Sequence, residues 1–422
     1  MELHAGGRAF SLTSLAVLAA LTPLLVSCAR TADSPGVSPS PSQRPIIADN
    51  DAEDALGIAE AFLAAIAEKN YPQVWELLSP EARSQWPAVE AFAAFLDRKF
   101  GAVKLDFDLG RLEPQADGSL ARFPISLRIA GNDIRLAGPA FVLNRNDESW
   151  AVSDPGPFGR YGPVVGSPAP IRPQIGVPIL IYHHVAPQLP GGAERFNTVT
   201  TEAFARQLQW LADTGHVSIS LAELFNAFHY DLPLPSKPAI LVFDDGYADI
   251  YELAFPLLRD RGFRATVAAI TGAMDHPGYL TWDQAREMSA AGIEFVSHTV
   301  SHGNLAATSR DEARSELADS RRALEEKLGL PVQFFVYPYG EPFTSGSPET
   351  REMVLALLRE SGYAGALTTS SGPPYISLQR ADAPYLLHRI PVSGGESIQR
   401  FAASIDRPTP TPTSGPSPTP RP

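Results

Sequence analysis

Ile240-Leu241-Val242-Phe243-Asp244-Asp245-Gly246 decides the fold. Four apolar residues read as a buried strand, which two carboxylates and a glycine end abruptly. A helical pattern then runs from about 249 to 261 and stops at Gly262, and a new apolar run, Ala265–Ile270, begins. Strand, polar turn, helix, glycine and strand is the period of a βα unit.

The period recurs in both directions. Apolar runs at Pro178–Tyr182, Ala239–Phe243, Ile293–Val296, Val332–Val336 and Ala364–Leu367 alternate with amphipathic helices near 202–214, 221–229, 282–291, 309–328 and 349–361. Five helices run straight into Gly215, Gly262, Gly292, Gly329 or Gly362. Glycine tolerates the left-handed conformation that ends a helix. Six or seven such units over residues 177–405 predict an α/β fold, a (β/α) barrel of about seven units. The alternative is an open doubly wound sheet, but no Gly-x-Gly-x-x-Gly follows the first strand.

Polar residues gather where these strands end. Ile179–Tyr182 leads into His183-His184, Ile240–Phe243 into Asp244-Asp245, Ile293–Val296 into Ser297-His298 with His302 beyond, and Phe334–Val336 into Tyr337-Pro338-Tyr339-Gly340. The C-terminal rim of such a barrel is where active sites are built. On a helical turn, His298 and His302 would face one side. With one Asp they make three metal ligands and leave a position for water, the pattern of a catalytic zinc site, though other divalent ions also suit it. A neighbouring carboxylate would take the water's proton and a His would protonate the leaving group. His216, His229 and His276 lie near helix ends and read as surface residues.

The rest of the 422 residues sets bounds. Net charge is −13, which excludes a nucleic-acid binder, and a single Cys excludes disulfides and cysteine-built zinc sites. Prolines crowd into 31–45, 155–178 and 408–422. They predict a flexible linker over 29–49, a Pro/Gly-rich linker and hinge over 155–176, and an extended tail over 406–422. The apolar run Leu15–Val26 has the length of a signal-peptide core, and Leu25-Val26-Ser27-Cys28 resembles the bacterial lipobox. Cys28 would then carry lipid and hold the protein on a membrane surface. Residues 50–154 read as helices followed by antiparallel strands, a small α+β domain without His. Its pattern resembles the NTF2-like domains.

The motifs Phe243-Asp244-Asp245-Gly246, Ser297-His298-Thr299-Val300-Ser301-His302 and Tyr337-Pro338-Tyr339-Gly340 resemble those of the polysaccharide deacetylases, the NodB-homology family of carbohydrate esterases. The resemblance implies Asp244 as general base and Asp245, His298 and His302 as ligands of a divalent metal, with zinc expected. It implies that Tyr337, Pro338 and Tyr339 shape the substrate groove, the Tyr339 backbone N–H facing the oxyanion. The family's supporting Arg is absent from Val332-Gln333-Phe334-Phe335, and Arg389 is the candidate substitute. Leu386-Leu387-His388 fits the family's usual acid motif. However, Leu180-Ile181-Tyr182-His183-His184-Val185 resembles the poly-N-acetylglucosamine deacetylase branch, which implies His183 as acid and His184 as its support. The expected substrate is an N-acetylated, GlcNAc-containing polysaccharide of the β-1,6-linked kind. The alternatives are peptidoglycan, chitin or acetylated xylan, or an inactive glycan-binding barrel. Trp282 is a candidate sugar contact or a core residue.

Overall fold

The computed structural model describes residues 49–101, 105–109, 113–114, 120–123, 125–129, 135–137, 141–146, 149–165, 169–369 and 377–405. The expected signal segment, Cys28, nearly all of the 29–49 linker and the 406–422 tail lie outside the described residues. Among those described, no helix is long and apolar enough to cross a membrane.

Seven parallel strands close into a barrel: β1 (Ile179–Tyr182), β2 (Pro238–Phe243), β3 (Thr266–Ala269), β4 (Glu294–Ser297), β5 (Phe334–Val336), β6 (Gly365–Thr369) and β7 (Leu387–Pro391). Strands β2 to β7 follow in chain order. The first strand then slots between the last and the second, pairing Leu180 with Ile390 and Tyr182 with Phe243. The helices between them start and stop as their sequences dictate. Ser220, Thr281 and Ser309 each open a helix with a reciprocal capping box. Gly215, Gly262, Gly292, Gly329 and Gly362 all sit at positive φ after a helix. The helix expected over 249–261 instead opens as a wide π turn, Ile250–Ala254, before Phe255–Asp260.

Period-two alternation sorts the barrel residues into two cores. Ile179, Ile240, Val242, Val296, Val336 and Leu367 belong to one, inside the barrel. Leu180, Leu241, Phe243, Phe295, Phe335 and Ala366 belong to the other, beneath the outer helices. The inner core does not end at the barrel. It continues through the helix Leu221–Tyr230, where nine of ten residues are buried, into the N-terminal region. Phe225 meets Phe334 above, with ring centroids 4.8 Å apart, and Tyr230 meets Phe95 below. A helix apolar all round must be covered all round. This one is the floor of the barrel.

The N-terminal region covers that floor. Helices Asp49–Ala67, Tyr71–Leu77, Pro80–Ser84 and Val89–Phe100 precede two antiparallel sheets of three and four strands. Phe62, Phe92 and Trp86 join the same core as the floor helix. The segment expected to be a hinge is instead a packed strap, at least over its described residues. Arg160 bonds Glu223, the Gln85 carbonyl and the Pro233 carbonyl at 3.2, 2.6 and 2.7 Å. Gln333 exchanges two hydrogen bonds with the Val164 backbone, and Asn226 donates to the Arg160 and Gly162 carbonyls. The Arg264 guanidinium lies 3.4 Å over the Tyr161 ring. Proline and glycine here prevent regular secondary structure without freeing the chain, because buried side chains satisfy its backbone groups. A chain beginning at Gln174 would leave the floor uncovered. It should melt roughly 10 °C or more below the full chain or aggregate; equal melting temperatures would contradict the shared core.

Lys99 is buried within this junction. Its ammonium donates to the Gly162 carbonyl at 3.2 Å and lies 5.2–5.8 Å from the rings of Phe95, Phe100 and Tyr230. Burial lowers its pKa from 10.5 to about 7. Between those values the unfolded chain holds a proton that the folded chain lacks, so this group makes stability climb as pH rises above 7. Replacing Lys99 by Met should therefore raise the melting temperature most at about pH 7 and below. The gain should shrink toward pH 9–10. Parallel melting profiles for the two proteins would refute the buried ammonium as their cause.

Candidate active site

Strand alternation delivers the rim residues. Asp244 continues the inward parity of Ile240 and Val242, His298 that of Val296, and His183 that of Ile179 and Ile181. Asp245 has outward parity, but its φ of +73° turns it back toward the site. Thr299, His302 and Tyr339 also have positive φ, so four of the seven described non-glycine residues in that region lie here. Each costs roughly 1–3 kcal/mol, strain that only a well-braced surround maintains.

The brace for the His loop comes from a residue that sequence reasoning missed. Residues 299–302 form a loop, not the expected helical turn. Glu316, on the following helix, accepts from the backbone of Val300 and Ser301 at 2.7 and 2.9 Å and from the Ser301 hydroxyl at 2.6 Å. Thr299 Oγ1 accepts from the His302 backbone at 2.8 Å.

Asp245, His298 and His302 converge, with one ligand atom from each within 4.8 Å of the others. Asp245 Oδ1 lies 3.4 Å from His298 Nε2 and 3.3 Å from His302 Nε2. His298 Nδ1 is 2.7 Å from the Val336 carbonyl, which can only accept, so that nitrogen carries the proton and Nε2 offers a lone pair. His302 Nδ1 is 3.0 Å from the Tyr339 hydroxyl. Asp245 Oδ1 is buried without a hydrogen-bond partner. A buried acceptor facing two ring nitrogens, the His298 one with a free lone pair, fits a divalent cation, and the outward hydrogen bonds orient the rings for one. Burial alone would raise the Asp245 carboxyl, but the three surrounding histidines, His298 foremost, hold it well below the usual range.

Asp244 is held from the opposite end of the chain. Arg389 on β7 is 1% exposed, and its Nη1 lies 2.7 and 3.0 Å from the two Asp244 oxygens. Its Nε donates to the Thr368 carbonyl at 3.3 Å. His183 Nε2 approaches Asp244 Oδ2 to 4.0 Å. Burial lowers the His183 pKa, against the pull of Asp244 and Asp245.

The other expected residues divide. His184 has outward parity and bonds Asp249 at 2.7 Å; its ring stacks 3.7 Å from that of Tyr247, which lines the cleft. Tyr247 directly follows the Asp-Asp-Gly motif and was also missed. Tyr337 borders the cleft as expected, but its ring has outward parity and its hydroxyl donates to the Tyr385 carbonyl. Pro338 is buried and starts the turn that exposes Tyr339. His388 has outward parity, opposite to Arg389, and does not line the cleft. Trp282 is buried beside Lys327, away from the cleft. His216 is not a surface residue: it is 8% exposed and bonds Thr214. His229 is half-buried, and His276 is exposed on the cleft rim.

Asp244, Asp245, His183, His298, His302 and Arg389 line one cleft of about 1060 Å³. The polysaccharide deacetylase profile matches residues 231–364. YxkH of Bacillus subtilis (strain 168), named as a polysaccharide deacetylase, is 30% identical over 230 residues, 54% of this chain and 76% of that protein. The chain belongs to the polysaccharide deacetylase family. It is therefore a hydrolase. The deacetylase domain is also 26% identical over 276 residues to the poly-β-1,6-N-acetyl-D-glucosamine N-deacetylase of Escherichia coli (strain K12). That match spans 55% of this chain but only 39% of the E. coli protein. Among solved structures, Streptococcus pyogenes deacetylase PplD in complex with acetate is 27% identical, with a TM-score of 0.48, over 55% of this chain and 99% of that one.

Removing one partner of a buried ion pair strands the other charge, at about 3–5 kcal/mol. Denaturant titration of Arg389→Met should show a loss of that order. The same substitution in an Asp244→Asn background should cost distinctly less. Additive effects would mean that the pair is not coupled.

Proposed function

We propose that this polysaccharide deacetylase is a metal-dependent hydrolase that removes N-acetyl groups from a poly-β-1,6-GlcNAc-like polysaccharide, working outside the cytoplasm from a lipid anchor at Cys28. The observation that carries the chemistry is the pair of adjacent carboxylates with separate partners. Asp245 faces His298 and His302, and Asp244 faces Arg389 and His183. The substrate class is supported by the E. coli relative and by the His183-His184 pair after the first strand.

In this reading each side chain has one task. Asp245, His298 and His302 hold a divalent cation, zinc by preference, which supplies a Lewis acid for the acetyl carbonyl and lowers the pKa of an attacking water. Asp244 takes the water's proton on its carboxylate. Arg389 orients that carboxylate and favours its ionised form. His183, 4.0 Å from Asp244, gives a proton to the departing amine. The Tyr339 backbone N–H faces the developing oxyanion, while its hydroxyl steadies the His302 ring.

The test is acetate release by the full chain from β-1,6- and β-1,4-linked GlcNAc oligomers and from peptidoglycan. We expect preference for the β-1,6 series, loss with a chelator and recovery with added zinc. Asp244→Asn should lower kcat by about 10²–10⁴-fold. Release that ignores the chelator would refute metal dependence, and a β-1,4 preference would refute the substrate.

A further inference from the structure

Two of the five exposed large apolar side chains among the described residues lie on the rim of the active cleft. Phe196 is 66% exposed and Tyr339 63%. Single exposed apolar residues need no explanation, but Phe196 is also fixed in place. It ends the short turn Ala193–Phe196. That turn is closed by hydrogen bonds to the Glu194 carbonyl, 2.9 Å from Thr198 Oγ1 and 3.1 Å from the Asn197 backbone. The Asn197 carbonyl accepts from the His184 backbone at 3.0 Å, and the Phe196 carbonyl from that of Gly394 at 3.3 Å. Gly394 permits this approach, since a Cβ there would stand 2.0 Å from the Arg195 carbonyl and 2.1 Å from that of Thr198. The backbone is pinned from both sides while the ring projects into solvent.

Barrel order places the two rings. Phe196 follows β1 and Tyr339 follows β5. These strands are three steps apart one way round the seven-strand ring and four the other. Both rings border the cleft that holds the Asp244–Asp245 pair. At about 1060 Å³ the cleft is at the upper end of the range that encloses a drug-sized ligand, more than one sugar unit needs.

We infer that Phe196 is a stacking platform for a sugar unit beyond the immediate neighbour of the one being deacetylated, out of reach of a dimer, so that it sets the preference for polymer over short glycans. Asn197 beside it, also lining the cleft, offers the polar contact that a sugar hydroxyl requires. A rigid aromatic face binds the apolar face of a pyranose with little loss of side-chain freedom. The inference rests on the deacetylase reading above and concerns a residue outside the family motifs.

The experiment compares a β-1,6-linked GlcNAc pentamer with the dimer, on the full chain carrying zinc. For Phe196→Ala we expect KM for the pentamer to rise roughly tenfold. Its kcat and the KM for the dimer should hold within about twofold, and Phe196→Trp should retain the wild-type preference. Unchanged KM for the pentamer, or an equal rise for both substrates, in an active enzyme would overturn the platform alone. A wild-type protein that releases no acetate from either oligomer would overturn the substrate assignment and the platform with it.

Discussion

Everything at the rim depends on one strand finding two partners. Ile179–Tyr182 pairs on one side with Pro238–Phe243 and on the other with Leu387–Pro391. That closure brings both His183 and Arg389 to Asp244. Without it, Asp244 would be a buried carboxylate with no counter-charge, a state that desolvation makes costly. The hydrogen-bond ladder and the ion pair therefore support each other: the ladder fixes the geometry, and the pair makes burial of the charge tolerable.

Much of this is legible in the residues, for physical reasons. Parallel strands buried on both faces read as apolar runs, and helices that must stop show it in their glycines. The residues after each run are then the obvious site, and Asp244, Asp245, His298 and His302 meet as their positions suggest. Inward and outward alternation also separates His183 from His388. Arg389 and His388 are neighbours on one strand, so only one of them can face Asp244. What stays hidden is long-range. Glu316 bracing the His loop, and Asp249 holding His184, come from helices whose local pattern is ordinary. The left-handed backbone at Asp245 and His302 has no signature either, since neither residue is glycine.

The strap departs from the expected hinge for an instructive reason. Proline and glycine report that a segment forms no regular element; they do not report whether it is packed. Arg160, Val164 and Tyr161 are held by Glu223, Gln333 and Arg264, which lie between 60 and 170 residues further along the chain. No local composition contains that information. The N-terminal region, free of histidine and away from the cleft, thus serves the site by covering the apolar helix under the barrel.

The Asp244–Arg389 pair spans 145 residues. A growing or partly folded chain that lacks its final barrel strand has the carboxylates and histidines of three strands already made, yet no counter-charge for Asp244. The charge-balanced cleft is consequently an all-or-none property of the finished barrel. The site around Asp244 is assembled only once almost the whole of the described chain has been committed to one structure.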